Sequence, residues 1–217
     1  MRTNSNSKSN LVLATIRSKE FFEHLSQFNN VLPNLVAATG YDEELDQVLF
    51  DSDLYIPGEG GWQISPPLPL NVHHKFLDSI VVSLDQETGF IYLSVNHVSP
   101  RFAFYLCNLI FKETNNLIRN KQLSESYKAQ EFLNEQLKKN LSLEVKRSTA
   151  QILQAQLQIQ MIADIRDDYV ISPIDKPYIP LGISGPNRLK NSFIGLVLGL
   201  FLGIFYSLVR AYFSTVK

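Results

Sequence analysis

The segment from residue 101 to residue 169 contains neither proline nor glycine, the two residues that most often interrupt a helix. A continuous helix over this segment would approach ~100 Å, far longer than a compact domain uses, unless it breaks, for example near Asn120. The segment therefore predicts a long helical arm, residues 101–170, that projects from a smaller domain and returns to it.

Apolar residues recur along this arm at a spacing of about four, which places them on one face of a helix. The first part of the stripe consists of Leu133, Leu137, Leu141 and Val145. It continues with Ile152, Leu153, Leu157, Met161, Ile162 and Ile165. Such a stripe must be buried against another helix, from this chain or from another copy, so we predict that the arm packs laterally.

The residues before the arm predict an α/β base, residues 11–100, and a disordered polar N-terminus, residues 1–10. Helical spacing of apolar residues predicts a helix over residues 11–25. The following elements are a short helix or an irregular segment at 42–50 and a loop at 57–69, which holds four prolines and three glycines. Two β-branched and aromatic runs around a turn ending in glycine predict a β-hairpin over residues 79–95.

The C-terminal part contains 17 uncharged residues, 193–209, and predicts a transmembrane helix over residues 191–213. Basic residues flank both ends, so charge does not orient this helix. Three glycines at every fourth position predict a face for close helix packing in the membrane: Gly195, Gly199 and Gly203. Four prolines make residues 171–190 an extended connector: Pro173, Pro177, Pro180 and Pro186.

Neither charge nor motifs favour nucleic-acid binding or catalysis. The formal net charge is −1, and the single cysteine, Cys107, lies in an apolar run typical of a buried side chain. The acidic pair Asp51 and Asp53 has no nucleotide-binding context, and the glycine-rich segment 58–61 lacks the Lys-Ser/Thr of a phosphate-binding loop. We therefore predict no catalytic, cofactor or metal site, and classify the chain as a non-enzyme.

Several segments, taken in order, resemble one family. They are Ser18-Lys-Glu-Phe21 with Phe28-Asn-Asn-Val-Leu-Pro33, Thr88-Gly-Phe-Ile-Tyr-Leu-Ser94 with His97-Val-Ser-Pro100, Phe132-Leu-Asn-Glu-Gln-Leu137, and Met161-Ile-Ala-Asp-Ile-Arg-Asp-Asp-Tyr-Val170. With the proline connector and the glycine-rich last helix, this order is similar to that of the Wzz-type polysaccharide co-polymerases, the chain-length determinants of O-antigen. The resemblance spans roughly residues 11 to 213.

The resemblance implies an α+β protein with a small α/β base near the bacterial inner membrane and a helical arm extending into the periplasm. Family members associate side by side and set the length of a glycan, such as O-antigen, that a Wzy-type polymerase builds on a lipid carrier. They perform no transfer themselves. The partners implied are therefore other copies of the chain, the polymerase, the lipid-linked glycan and the membrane, with no cofactor.

The chain departs from the family pattern at its N-terminus, where the family has a membrane helix and a first strand. Here ten polar residues precede the matched region, so a periplasmic body requires such a helix upstream. A truncated product, a misassigned start and a naturally shortened member all fit this departure. The alternative function is an adaptor in capsule or exopolysaccharide export, in which the arm would bridge an exporter to its partners.

Overall fold

The computed structural model describes residues 2–58, 61–139, 142–166, 168–179, 192–203 and 206. Residues Met1–Ile179 form one compact unit, and Pro180–Lys217 form a second. The described part of the first unit contains helices and short strands in the order α1 (Arg2–Arg17), α2 (Lys19–Ser26), α3 (Val31–Val36), β1 (Ala38–Asp42), β2 (Gln47–Phe50), β3 (Tyr55–Ile56), β4 (Gly61–Trp62), α4 (Pro69–Ser79), β5 (Ile80–Leu84), β6 (Ile91–Val95), α5 (Pro100–Leu137) and α6 (Leu143–Ile165).

The described strands pair in sequence order as three antiparallel two-stranded sheets, β1–β2, β3–β4 and β5–β6. Helices and small sheets alternate irregularly along the chain, and every sheet is a local hairpin. This architecture confirms the predicted α+β class.

The hairpin predicted over residues 79–95 is confirmed as β5–β6. Ile80 and Val82 are buried at 7% and 5% exposure, as expected where alternate side chains of a strand face a core. The turn is closed by the carboxylate of Asp85, whose Oδ1 accepts hydrogen bonds from two backbone N–H groups of the turn. Gly89 adopts a φ of +75°, which glycine accommodates without strain.

The hydrophobic core lies between α2, α4, the β5–β6 hairpin and the first half of α5. Its largest fully buried side chains include Phe21 and Phe22 of α2, Phe76 of α4, and Leu106 and Ile110 of α5. The rings of Phe22 and Phe76 stack with centroids 4.9 Å apart. These contacts join the base to the beginning of the arm in one core.

The N-terminus differs from its prediction, because the residues expected to be disordered, 1–10, are helical from Arg2 onward as the first part of α1. The continuous helix predicted over residues 11–25 was also wrong. It breaks at Ser18, whose hydroxyl accepts a hydrogen bond from Phe21 N–H and thereby caps α2. Both helices contribute to the core, α1 with Val12 and Ile16 and α2 with Phe21, Phe22 and Leu25.

Residues 42–50 are not a helix, because β1 and β2 form a hairpin there. The carboxylate of Asp42 accepts two backbone N–H groups of the turn, which stabilises a tight reversal. Asp46 adopts a left-handed φ of 52° in the same turn. Its carboxylate accepts a hydrogen bond from the Tyr41 hydroxyl and forms an ion pair with Arg101, which ties the hairpin to the beginning of α5.

The proline- and glycine-rich segment 57–69 is mostly irregular, as predicted, apart from the short pairing of β4 with β3. Gly61 has a φ of +80°, and a Cβ there would lie 3.4 Å from the ring of Tyr55. The ring of Tyr55 in turn contacts those of Phe50 and Trp62 edge to face. A small aromatic cluster therefore packs this part of the base.

The arm is a helical hairpin, and α5 continues through Asn120, where a break was considered. By helical rise, the 38 residues of α5 span about 57 Å and the 23 residues of α6 about 35 Å. The reversal falls between Leu137 and Leu143, and the hydroxyl of Ser142 caps α6 by accepting from Val145 N–H. Because α6 runs back along α5, each helix of the arm packs against the other.

The second unit includes the predicted transmembrane span, 191–213, of which residues 192–203 are helical and described. Apart from residue 206, the rest of that span lies outside the described residues. Among the described residues, no helix is both long enough and apolar enough to cross a membrane. The transmembrane helix over residues 191–213 remains a prediction from the sequence.

Candidate functional site

The contact between α5 and α6 is polar at its centre. The Ser126 hydroxyl of α5 donates to the backbone oxygen of Gln156 at 3.1 Å. The Gln160 amide of α6 donates to the Ser126 hydroxyl at 3.2 Å and to the Gln130 amide oxygen at 3.1 Å. Ser126 and Gln160 are 2% and 8% exposed, so these hydrogen bonds satisfy buried polar groups and define the register of the hairpin.

The buried face of α6 is narrow and consists of small or polar side chains. Its most buried positions are Thr149, Gln160 and Ala163, at 8%, 8% and 1% exposure. Small residues at the contact let the two helix backbones approach closely. Larger apolar residues therefore lie beside this contact rather than within it.

The predicted apolar stripe is only partly buried by the hairpin. Leu133 and Leu137 are partly buried, Val145 is 46% exposed, and Leu141 lies outside the described residues. The exposed fractions of the larger apolar residues further along α6 range from 41% to 78%: Ile152, Leu157, Met161, Ile162 and Ile165. The hairpin therefore buries the stripe only in part, because the polar contact faces α5 in its place. That another copy covers the rest of the stripe stays a prediction.

The exposed face of α6 is also uncharged. From Ser148 to Ala163 the helix contains no Asp, Glu, Lys or Arg. Counted at about 100° per residue, Ile152 lies to one side of the contact with α5, and Leu157 and Met161 lie to the other. A helix with apolar side chains on both flanks can contact two neighbours at once. We therefore identify the exposed side chains of residues 148–163 as the candidate assembly surface and call them the neutral face.

The chain that follows α6 is held against α5 by Asn115. Its Oδ1 accepts from the backbone N–H groups of Val170 and Ile171, at 2.8 and 3.1 Å. Its Nδ2 donates to the backbone oxygen of Ile171 at 3.0 Å. Asn115 is 2% exposed, so one buried amide pairs with the chain like a neighbouring strand and returns it to the base.

Two histidines connect the base to α5. His24 Nε2 lies 2.7 Å from Glu113 Oε2, and this carboxylate also accepts from the Asn116 amide at 3.1 Å through its other oxygen. His97 Nδ1 accepts from Ser99 N–H, so its Nε2 carries the proton and donates to a backbone oxygen of α3 at 2.9 Å. Sequence alone predicts none of these contacts, because the partners are distant in sequence or are backbone groups.

His97 predicts a pH dependence of stability. Burial lowers the pKa of His97 below its ordinary value of 6.5, although its two backbone hydrogen bonds act in the opposite sense. The folded state therefore binds fewer protons than the unfolded state between the two pKa values, and stability should fall as the pH drops below about 6.5. Urea unfolding at pH 7.5 and pH 5 should show this loss, and His97→Gln should reduce it.

His74 is the matched control for this measurement, because its side chain is exposed. His74→Gln should leave the difference in unfolding free energy between the two pH values unchanged. Equal pH dependence in His97→Gln and His74→Gln would contradict the role assigned to His97.

The residues considered for chemistry do not form a site. Asp51 uses its Oδ1 to accept the N–H of Asp53, as in a turn. Burial raises the pKa of the half-buried Cys107 thiol, which disfavours the reactive thiolate. Within the described ranges, no three His, Cys, Asp or Glu side chains are grouped so as to hold a metal ion.

The three glycines of the predicted membrane helix have no close neighbours in the described part of the chain. A Cβ added at Gly195, Gly199 or Gly203 would meet none of the described atoms within 4 Å. Pro173 and Pro177 are partly buried in an irregular segment. The other two connector prolines, Pro180 and Pro186, lie outside the described residues.

Comparison with known proteins identifies no family for this chain. A scan against protein-family models finds no match, and a search of curated proteins finds none either. Any functional proposal therefore rests on the arm and on the resemblance described from the sequence.

Proposed function

We propose that this protein is a non-catalytic inner-membrane regulator of polysaccharide chain length. It acts as an oligomer beside a Wzy-type polymerase and sets the length of O-antigen or a related lipid-linked glycan. The membrane attachment in this proposal is the apolar stretch 193–209, with its glycines available for helix packing. The ordered resemblance to the Wzz-type family supports the assignment.

One observation contributes most to the proposal: the arm keeps large apolar side chains exposed along the neutral face. Ile152, Leu157 and Met161 are 50%, 41% and 61% exposed, although the arm already has a helix of its own chain to pack against. Full burial of such a side chain contributes roughly 1.5–3 kcal/mol, so covering several of them is a substantial driving force for association. A structural, oligomeric role uses this surface, whereas a monomeric enzyme leaves it unexplained.

The mechanism requires positioning rather than covalent chemistry. The polar contact of Ser126 with Gln160 defines how α5 and α6 align, so each copy presents the same neutral face. Asn115 attaches the returning chain to α5 next to the core, so the end of the arm is fixed in each copy. Copies arranged side by side would form a scaffold of defined size next to the polymerase, and that size would set the glycan length.

The function is tested by a lipopolysaccharide gel from the source strain, from a strain without the gene, and from that strain complemented with a gene for these 217 residues. We expect loss of modal banding on deletion and its return on complementation. Restoration only by an upstream-extended gene would support the function and show that an additional segment is required. An unchanged ladder, with copurification of a capsule exporter, would favour the export adaptor instead.

Assembly is predicted to depend on the neutral face. The double substitution Leu157→Gln and Met161→Gln removes apolar surface without changing charge, and it should weaken self-association at least about tenfold because less apolar area is buried between copies. Multi-angle light scattering of the detergent-solubilised chain over a concentration series measures this change.

A matched control removes apolar surface from the base. Leu68 is 67% exposed, and Leu68→Gln should leave the molar mass distribution unchanged. Equal weakening by Leu68→Gln, or a wild-type chain that remains monomeric at every concentration, would contradict an assembly surface on α6.

A further inference from the structure

The tip of the arm is basic. Four exposed cations lie within ten residues where α5 ends and α6 begins: Lys138, Lys139, Lys146 and Arg147. The nearest acidic residues are Glu135 and Glu144. Among the described side chains, none of the four cations forms an ion pair with a carboxylate. We call these four residues the basic tip.

The opposite end of the arm is acidic. Residues 38–58 contain six carboxylates, with no lysine or arginine among them. One of these, Asp46, pairs with Arg101 in the first turn of α5, whereas Lys138 follows its last turn. The two charged regions are therefore separated by about the 57 Å length of α5. A polyanion is attracted to the tip and repelled from the base.

The surface next to the basic tip is suited to sugar hydroxyls. The neutral face exposes three amide side chains: Gln151, Gln154 and Gln158. An amide both donates and accepts hydrogen bonds, as hydroxyl groups require. Insertion into a lipid surface is favoured by aromatic side chains beside the cations, and residues 138–147 contain none. The described apolar side chains exposed there are two aliphatic ones, Leu143 at 66% and Val145 at 46%.

We propose that the basic tip binds an acidic polysaccharide. Its lysines and arginine contact carboxylate groups along the glycan, and the adjacent glutamines bond to hydroxyl groups. This inference rests on the proposed function, because it names the chemical class of the glycan that reaches the arm. Side-by-side copies would multiply the four cations into a positively charged ring, so affinity should rise with assembly.

The test uses the full chain in uncharged detergent, with polygalacturonate as the probe and fluorescence anisotropy as the readout. Wild type should bind polygalacturonate and not neutral dextran, and the affinity should fall with added salt. The double substitution Lys139→Gln and Lys146→Gln should reduce affinity at least about tenfold, since it halves the number of cations at the tip.

A matched control removes two exposed cations from α5, away from the tip. Lys112→Gln with Lys121→Gln makes the same charge change and should alter affinity less than about twofold. Equal loss in both double variants would overturn the assignment to the tip. Equal binding of polyglutamate would overturn recognition of a glycan. Binding only to vesicles with 30% phosphatidylglycerol would overturn it in favour of a membrane contact.

Failure of this inference is distinguishable from failure of the proposed function. If the gene restores modal banding while the chain does not bind polygalacturonate, only the ligand of the tip is wrong. If polygalacturonate binds through the tip but deletion leaves the ladder of every surface glycan unchanged, the basic tip stands and chain-length control is wrong.

Discussion

Phe76→Ala should lower the free energy of unfolding by about 3–5 kcal/mol, the range found when a fully buried phenylalanine is removed. Phe76 has 0% exposure and stacks on Phe22, so alanine would leave a cavity where α2 and α4 meet β5. Urea unfolding of the full chain, followed by circular dichroism, measures the loss. A loss of this size approaches the whole stability of a small domain.

Two further variants keep this prediction measurable. Phe76→Leu retains most of the apolar volume and should cost less than half as much, so it reports on packing if the alanine variant does not fold. Leu70 lies on the same helix at 54% exposure, and Leu70→Ala should cost less than about 1 kcal/mol. Similar losses for Phe76→Ala and Leu70→Ala would show that Phe76 does not occupy the centre of the core.

The elements that sequence predicts well are those with a local signal. The β5–β6 hairpin has strands rich in β-branched residues on both sides of a turn that Asp85 and Gly89 close. All of these residues lie within one short segment of the sequence. The helical arm is equally predictable, because its residues 101–169 include no proline or glycine, the two residues that most often end a helix. Neither feature depends on which distant residues meet.

Where local signals compete, the prediction fails. Asp42 to Phe50 lacks the alternation of a strand, and its hairpin forms because Asp42 and Asp46 stabilise the turn and Arg101 binds it from α5. Apolar spacing continues across Ser18 and therefore predicts one helix, whereas the Ser18 hydroxyl caps a second helix, α2. In both cases hydrogen bonds or ion pairs of a few side chains outweigh the periodicity around them.

The contact between α5 and α6 could not be predicted from sequence for a different reason. Apolar periodicity identifies a stripe on the arm but not which face meets α5. The contact with α5 uses Ser126 and Gln160, which lie 34 residues apart in sequence and form their hydrogen bond only once the two helices are aligned. The apolar residues then remain for other partners, which a pattern search cannot distinguish from a core.

Asn115→Ala should lower the free energy of unfolding by about 2–4 kcal/mol, because it leaves three backbone groups of the returning chain without their partner. Those groups belong to Val170 and Ile171, and the buried Asn115 amide binds all three of them to α5. Hydrogen exchange should localise the effect, with faster exchange at both amides and little change within β5–β6. The unfolding free energy is measured by urea denaturation.

Asn115→Asp separates the two halves of this interaction. The carboxylate still accepts the two N–H groups, but it cannot donate to the Ile171 oxygen and it adds a buried charge. Its cost at pH 7 should therefore be at least that of alanine and should fall at low pH, where a protonated carboxyl can donate again. Asn108 is only partly buried on the same helix, where its amide donates to the Phe104 oxygen in the preceding turn, and Asn108→Ala should cost less than about 1 kcal/mol. If Asn115→Ala weakened β5–β6 as much as residues 170 and 171, the amide would be a general core contact rather than the attachment point of the arm. Selective release of the returning chain, with self-association through α6 retained, would instead show that the arm assembles independently of its connection to the base.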